Sequence, residues 1–245
     1  MKAENNFVGM NCGIMDMFAS IMGQKDQVIR LNCQSLDYEY FPFQSGDLSL
    51  VLCDTTVKHN LVDSEYNQRR IDCETGFSVL KQYFPELSTL AETSLDRLLY
   101  LKNEIDPTVF KRCKYVIEES ARVEKACQSI QNQDFITFGQ LMFQTHEGLD
   151  KLYEVRCPEA NFLVEQAAKH PDCLGARMMG SGFGGCTLNL IKRDSLHSFK
   201  TLLGGQYKTA FNLEMNFYLA EPSVGVEKLP RYVHLQEHLF KKNRG

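Results

Sequence analysis

The chain has 245 residues, of which 43% are apolar and 24% charged, so it can bury a sizeable core as one large domain or two smaller ones. Its 27 basic and 31 acidic residues give a net charge of -4. A dedicated nucleic-acid or anionic-membrane surface is therefore disfavoured, because such surfaces need a basic excess.

The first fifty-odd residues change period several times. Apolar residues from Phe7 to Met22 follow a helical spacing that breaks at Gly13, which predicts two helical pieces with Asp16 in the first turn of the second. A carboxylate in that position is favoured by the helix dipole. Three strands are predicted next, at residues 28–33, 38–41 and 48–53, the third apolar enough to be buried on both faces.

The middle of the chain is predicted to be helical from Asp63 onward for about a hundred residues. Apolar side chains recur there at spacings of three and four, as one buried helix face requires. They are Val109, Cys113, Val116, Ile117, Ala126, Cys127 and Ile130, followed on a further helix by Phe135, Phe138, Leu141, Met142 and Leu149.

The last third alternates between strands and a helix. The pattern predicts strands at residues 174–179, 186–191 and 215–219 and a helix at residues 194–203. Strands that flank a helical block indicate an α+β fold rather than a regular βαβ array. The change of period between Val57 and Asp63 is the place where a domain boundary can be argued.

A glycine-rich turn at residues 180–185 spells G-x-G-x-x-G. The dinucleotide fingerprint requires that such glycines open a helix, whereas a predicted strand follows here, so this interpretation is rejected. The glycines indicate instead that the backbone needs positive φ angles or that another segment approaches closely. A tight hairpin without any ligand stays an equal alternative.

A second motif, His234 to His238, spells H-x-x-E-H, a zinc-peptidase pattern. A catalytic zinc needs a third protein ligand, and the seven residues after His238 contain no acid, cysteine or histidine. Two surface histidines are therefore the favoured interpretation. The nine cysteines form no Cys-x-x-Cys pair, which disfavours a metal or redox site and fits a reducing cytoplasm.

Asp16 and Tyr66 are the candidate chemical groups. Asp16 lies among apolar residues, and it either only stabilises its own helix or orients a substrate hydroxyl and accepts its proton. Tyr66, taken alone, is typical of a half-buried helix tyrosine. These alternatives stay open on the residues themselves.

Three segments in the right order resemble galactokinases. They are residues 3–18 with Cys12-Gly13-Ile14-Met15-Asp16, residues 64–76 with Ser64-Glu65-Tyr66-Asn67-Gln68-Arg69-Arg70, and residues 177–185 with the glycine-rich turn. The resemblance, which runs from about residue 3 to about residue 225, implies that Asp16 is the catalytic base and that Gly13, Asp16 and Tyr66 bind the sugar. It also implies that Gly180, Gly182, Gly184 and Gly185 support the nucleotide loop and that no residue here ligates a metal.

The resemblance implies ATP-dependent phosphorylation of galactose to galactose 1-phosphate with Mg²⁺ in the cytoplasm. Two upstream signatures of the family are not found, so the chain is expected to be the C-terminal two thirds of an enzyme and inactive alone. Residues 1–57 would be the remainder of an N-terminal α/β layer, able to self-associate through an open sheet edge. Residues 58–245 would form a C-terminal domain, with a helical block and an antiparallel sheet closed by a glycine-rich hairpin. A non-catalytic sugar and ATP sensor and a kinase for an N-acetylated galactose are the alternatives.

Overall fold

The computed structural model describes residues 13–58, 62–155, 157–180 and 182–227, without the side chains of residues 58 and 62–64. The H-x-x-E-H motif lies outside these residues. The fold is α+β, as predicted. Its helices are α1 (Met15–Met22), α2 (Val62–Tyr83), α3 (Leu95–Tyr100), α4 (Pro107–Gln131), α5 (Phe135–Gly148), α6 (Pro158–Ala168) and α7 (Leu196–Phe211), and its strands are β1 (Gln27–Leu31), β2 (Tyr38–Pro42), β3 (Leu48–Lys58), β4 (Cys173–Met178), β5 (Gly184–Lys192) and β6 (Asn216–Ala220).

The strands form two antiparallel sheets. β1 pairs with β2 in a two-stranded sheet, and the other four strands follow the order β4-β5-β3-β6. β3 thus pairs with strands from beyond residue 58, on the other side of the predicted domain boundary. The division into units 1–57 and 58–245 itself stays a prediction.

β3 is buried on both faces, as its apolar run predicted. Val51 and Cys53 are fully buried and pack with α6 and α7 on one side. Leu48 and Leu50 pack on the other side with the apolar cluster that includes residues of α5. The strand is longer than predicted and ends at Lys58, because an irregularity after Asp54 lets it continue along β5.

The predicted end of the last helix is wrong. The helix was predicted to end at Leu203, just before Gly204 and Gly205, but α7 runs to Phe211. Tyr207 is fully buried, its ring lies 5.0 Å from that of Phe211, and its hydroxyl donates to the Thr55 carbonyl at 2.8 Å. Packing of this extra turn against the sheet therefore overrides the weak helix propensity of glycine.

The helical block covers one face of the four-stranded sheet through close backbone contact. α5 and β4 meet at Gly139 and Gly175, where a Cβ on either residue would overlap backbone atoms of the other element.

Asp106 is the N-cap of α4. Its carboxylate accepts hydrogen bonds from the N–H groups of Thr108 and Val109 at 2.8 and 3.2 Å, as is typical of an N-cap. The apolar face of α4 is buried as predicted, with Cys113, Ile117 and Ile130 in the core.

Within the residues described, no helix is both long and apolar enough to span a membrane.

Candidate functional site

Asp16 lies in the first turn of α1, where the sequence predicted it. Its side chain is exposed, so the carboxylate is open to a ligand and faces the favourable end of the helix dipole. Three hydrogen bonds hold the other end of α1: the Tyr40 hydroxyl donates to the Met22 carbonyl at 2.6 Å, and the N–H groups of Gly225 and Val226 donate to the carbonyls of Gly23 and Ser20, each at 2.7 Å. Gly13, also exposed, precedes the helix.

Tyr66 lies on α2 beside a second tyrosine. Its side chain is half-buried, and it is one of the groups that raise the pKa of Tyr153. Burial first, and then Cys73, Tyr66 and Tyr115, raise the pKa of Tyr153, whose hydroxyl donates to the Cys73 sulfur. Tyr153 therefore stays neutral and can act only through hydrogen bonding and packing.

The glycine-rich turn connects β4 to β5. The Met179 N–H donates to the Cys186 carbonyl at 2.9 Å where the turn opens, and strand β5 rather than a helix follows it, as the rejection of the dinucleotide fingerprint predicted. Phe183 adopts the left-handed region with φ of 61°. The glycines with positive φ are Gly180 (70°), Gly182 (91°), Gly184 (142°) and Gly185 (78°).

Residues 152–155, which we call the support segment, lie against this turn. The segment includes the last two residues of a π-helical turn at Leu149–Tyr153, a distortion often found at functional sites. The Phe183 N–H donates to the Val155 carbonyl at 3.3 Å. A Cβ at Gly182 would lie 2.5 Å from the Val155 Cβ, so glycine is required there by close approach as well as by its φ angle.

Two buried arginines hold the support segment from the other side. Arg69 of α2 donates to the Tyr153 carbonyl at 2.7 Å and to the Glu154 carbonyl at 2.8 Å. Arg112 of α4 donates to the Leu152 carbonyl and pairs with the Glu154 carboxylate at 2.7 Å. The hydrogen bond from Arg112 is the main cause that holds the pKa of Glu154 below its usual range.

His146 lies beneath the start of the turn. It is buried, and its Nδ1 accepts from the Met178 N–H at 3.3 Å. Burial lowers the pKa of His146, and Arg177 lowers it further against the opposite effect of Asp150. A neutral imidazole, which can accept this hydrogen bond, is therefore favoured.

The predicted site residues do not all meet through these contacts. The support segment contacts the glycine turn through Val155 and contacts α2, the helix of Tyr66, through Arg69, whereas among the described residues no hydrogen bond joins the Asp16 side chain to either the turn or Tyr66. Sequence reasoning missed Arg69, Arg112, Glu154 and Val155. A signal was present for Arg69, which belongs to the segment that carries Tyr66.

The described residues offer no metal centre of their own. No group of three His, Cys, Asp or Glu side chains among them is arranged to hold an ion. A cavity of about 860 Å³ between β1, α4 and α5 is lined by none of the predicted site residues. It does not bear on the chemistry proposed for Asp16.

The fold and the turn agree with a known class of phosphotransferases. The family profile described as "GHMP kinases C terminal" matches residues 114–199, from α4 through the glycine turn into α7. This chain thus contains the C-terminal domain of the GHMP kinases.

The more specific relatives are galactokinases. The chain is 40% identical to the galactokinase of Clostridium perfringens (strain SM101 / Type A) over 93% of its own length and 59% of the relative, and 41% identical to that of Thermotoga petrophila over 93% and 63%. The crystal structure of Lactococcus lactis galactokinase complexed with galactose matches with a TM-score of 0.88 at 32% identity, over 93% of this chain and 59% of that one. The chain is thus similar to galactokinases over most of its own length and spans about three fifths of the length of these relatives.

Proposed function

We propose that this chain forms the C-terminal part of a galactokinase, which transfers the γ-phosphoryl group of ATP to the anomeric hydroxyl of galactose. The observation that carries the proposal is the match to galactokinases over 93% of the chain, and the exposed carboxylate of Asp16 in the first turn of α1 supports it. Galactose is bound by the Lactococcus relative and is proposed here as the substrate.

Asp16 acts as the base in this proposal. Phosphoryl transfer passes through a loose transition state and depends on positioning and charge stabilisation more than on covalent chemistry. Asp16 orients the hydroxyl and accepts its proton as the bond from the sugar oxygen to phosphorus forms. The bond from phosphorus to the oxygen bridging it to the β-phosphate breaks, and ADP leaves. Mg²⁺, when bound, offsets the charge on the phosphates.

Gly13 and Tyr66 bind the sugar, and the glycine turn supports the nucleotide loop. Gly13 leaves space beside α1, since no atom of the described residues lies within 4 Å of the position its Cβ would take. Tyr66 offers one hydroxyl from a half-buried ring. Gly180, Gly182, Gly184 and Gly185 give the turn its positive φ angles, which other residues adopt at a cost.

The test is a turnover assay on an extended protein, in which the chain follows its own upstream coding region or, alternatively, the upstream part of the Clostridium perfringens galactokinase. Product formed from ATP and galactose, with Mg²⁺ present, is followed by phosphorus NMR, with N-acetylgalactosamine in parallel. We expect galactose 1-phosphate. If calorimetry shows that galactose and ATP bind but no product forms, the proposed enzymatic activity is wrong and a sensor is favoured. If the N-acetylated sugar is the preferred substrate, the proposal of galactose as the substrate is wrong.

A further inference from the structure

The two buried arginines, Arg69 and Arg112, have no role in the function proposed so far. Arg69 is 8% exposed and Arg112 only 2%. Burying a guanidinium is costly unless its donors are satisfied, and here most of the donated hydrogen bonds go to backbone carbonyls of a single short segment. Such an arrangement fixes the path of that backbone.

The donors come from two helices and converge on three consecutive carbonyls. Arg69 spans the carbonyls of Tyr153 and Glu154 with two of its nitrogens, which uses the fork geometry that lysine lacks. Arg112 reaches the carbonyl of Leu152 from α4. Side-chain ion pairs orient both guanidiniums: Glu65 lies 3.1 Å from Arg69, and Glu154 lies 2.7 Å from Arg112.

The next residue, Val155, passes this constraint to the glycine turn. Val155 is fully buried. Its side chain lies against Gly182, and its carbonyl accepts a hydrogen bond from the Phe183 N–H. The Phe183 ring packs on the same apolar cluster as Tyr153 and Val155. A displacement of residues 152–154 would therefore displace the turn.

Tyr66 lies on α2, the helix that also carries Arg69. It is three residues before Arg69 on α2, so both side chains project from neighbouring turns of one helix face. We propose that Arg69 and Arg112 are positioning residues, which fix the glycine turn relative to Tyr66 through the support segment. This inference rests on the proposed function, since it concerns the nucleotide and sugar sites of the same enzyme.

The positional part of the proposal is tested on the chain itself, without any kinase activity. The chain contains no tryptophan, so Phe183→Trp introduces a single reporter in the turn. Arg69→Lys keeps the charge but loses the fork across two carbonyls. We expect the tryptophan emission of the Phe183→Trp protein to move to longer wavelength, and acrylamide quenching to increase, when Arg69→Lys or Arg112→Lys is added.

The matched control is Arg97→Lys on α3. It alters a surface ion pair between Arg97 and Glu86 and should leave the emission unchanged. Unchanged emission and quenching in Arg69→Lys, with the circular dichroism of the parent, would overturn the proposal. An equal shift in Arg97→Lys would also overturn it, because the reporter would then follow general stability.

The functional part is tested on the extended protein. Loss of one of the two hydrogen bonds that Arg69 donates to the segment corresponds to about a threefold to tenfold effect, so in Arg69→Lys we expect KM for ATP to rise by that factor. A purely structural role would lower Tm and leave KM for ATP unchanged, and this result would overturn the positioning role. Absence of all turnover in the unmodified extended protein would contradict the proposed function instead. The tryptophan fluorescence of the Phe183→Trp variants would still show whether Arg69 and Arg112 fix the position of the glycine turn.

Discussion

Val155 occupies the space that a side chain at Gly182 would need. The two residues approach so closely that a Cβ at position 182 would lie 2.5 Å from the Val155 Cβ, and the φ of 91° at Gly182 is itself unfavourable for any other residue. The shape of the glycine turn is therefore determined from outside the turn.

Gly182→Ala is expected to destabilise the chain. Overpacking costs about 1–3 kcal/mol, and the left-handed backbone adds about 1–2 kcal/mol for a residue with a Cβ. Urea unfolding followed by circular dichroism measures the change. Gly205→Ala is the control, because nothing lies within 4 Å of its Cβ position and alanine in the interior of α7 should add about 0.8–1.0 kcal/mol. Equal stability of the two variants would show that the close approach is not rigid.

The buried His146 predicts a loss of stability in mild acid. Burial lowers its pKa from the ordinary value of 6.5, so below that pH the unfolded chain binds a proton that the folded chain does not. The free energy of unfolding should therefore fall as the pH falls through about 6.5. Carboxylates with lowered pKa values, such as Glu154 and Asp172, stabilise the fold throughout this range, and their stabilisation is lost only when the pH falls below about 4.5.

His146→Gln separates this effect from the rest. A glutamine oxygen can accept from the Met178 N–H but does not titrate, so the dependence of stability between about pH 7 and about pH 5.5 should become shallower. His197→Gln, at an exposed position, serves as the control. If both variants keep the pH dependence of the parent chain, the neutral state of His146 has been misassigned.

Tyr66→Phe is expected to weaken galactose binding and leave the fold intact, because only one hydroxyl is removed. A hydrogen bond to a neutral sugar hydroxyl contributes about 0.5–1.5 kcal/mol, a loss of about threefold to tenfold in affinity. Calorimetry on the extended protein gives this value. Tyr83→Phe, near the exposed end of the same helix, should bind galactose normally, and equal affinities in the two variants would leave Tyr66 without a role in the site.

The chain assayed alone is expected to show no turnover and to self-associate. In the proposed enzyme Gly13, Asp16 and Tyr66 would supply only part of the sugar site, and a phosphate cradle is needed as well. In the described residues, β1 and β2 pair only with each other, so both carry an open edge. Sedimentation velocity over a range of concentrations should reveal oligomers. A monodisperse monomer would contradict the open edge, and robust galactose 1-phosphate production would contradict the expected inactivity.

Much of the fold could be predicted because its signals are local. The first turn of α1, the burial of both faces of β3 and the buried face of α4 follow from the spacing of neighbouring residues. The length of α7 could not be predicted, because it depends on the contact between Tyr207 and Thr55, which are 152 positions apart.

The same reason limits what could be predicted of the site. Asp16 and Tyr66 were found through the resemblance to a family, and the glycine turn through its composition. The support segment carries no motif of its own. Arg69 meets the Tyr153 carbonyl 84 positions away, and Arg112 meets the Leu152 carbonyl 40 positions away, so only the tertiary structure brings them together.

The proposed role of Asp16 as the base of a galactose kinase is tested by Asp16→Asn in the extended protein. The exchange keeps the size of the side chain but removes proton acceptance, so kcat should fall by about 10²–10⁴-fold while the Kd for galactose stays unchanged. Asp37→Asn, in the exposed loop before β2, should leave both quantities unaltered. A kcat in Asp16→Asn equal to that of the unmodified extended protein would contradict the account.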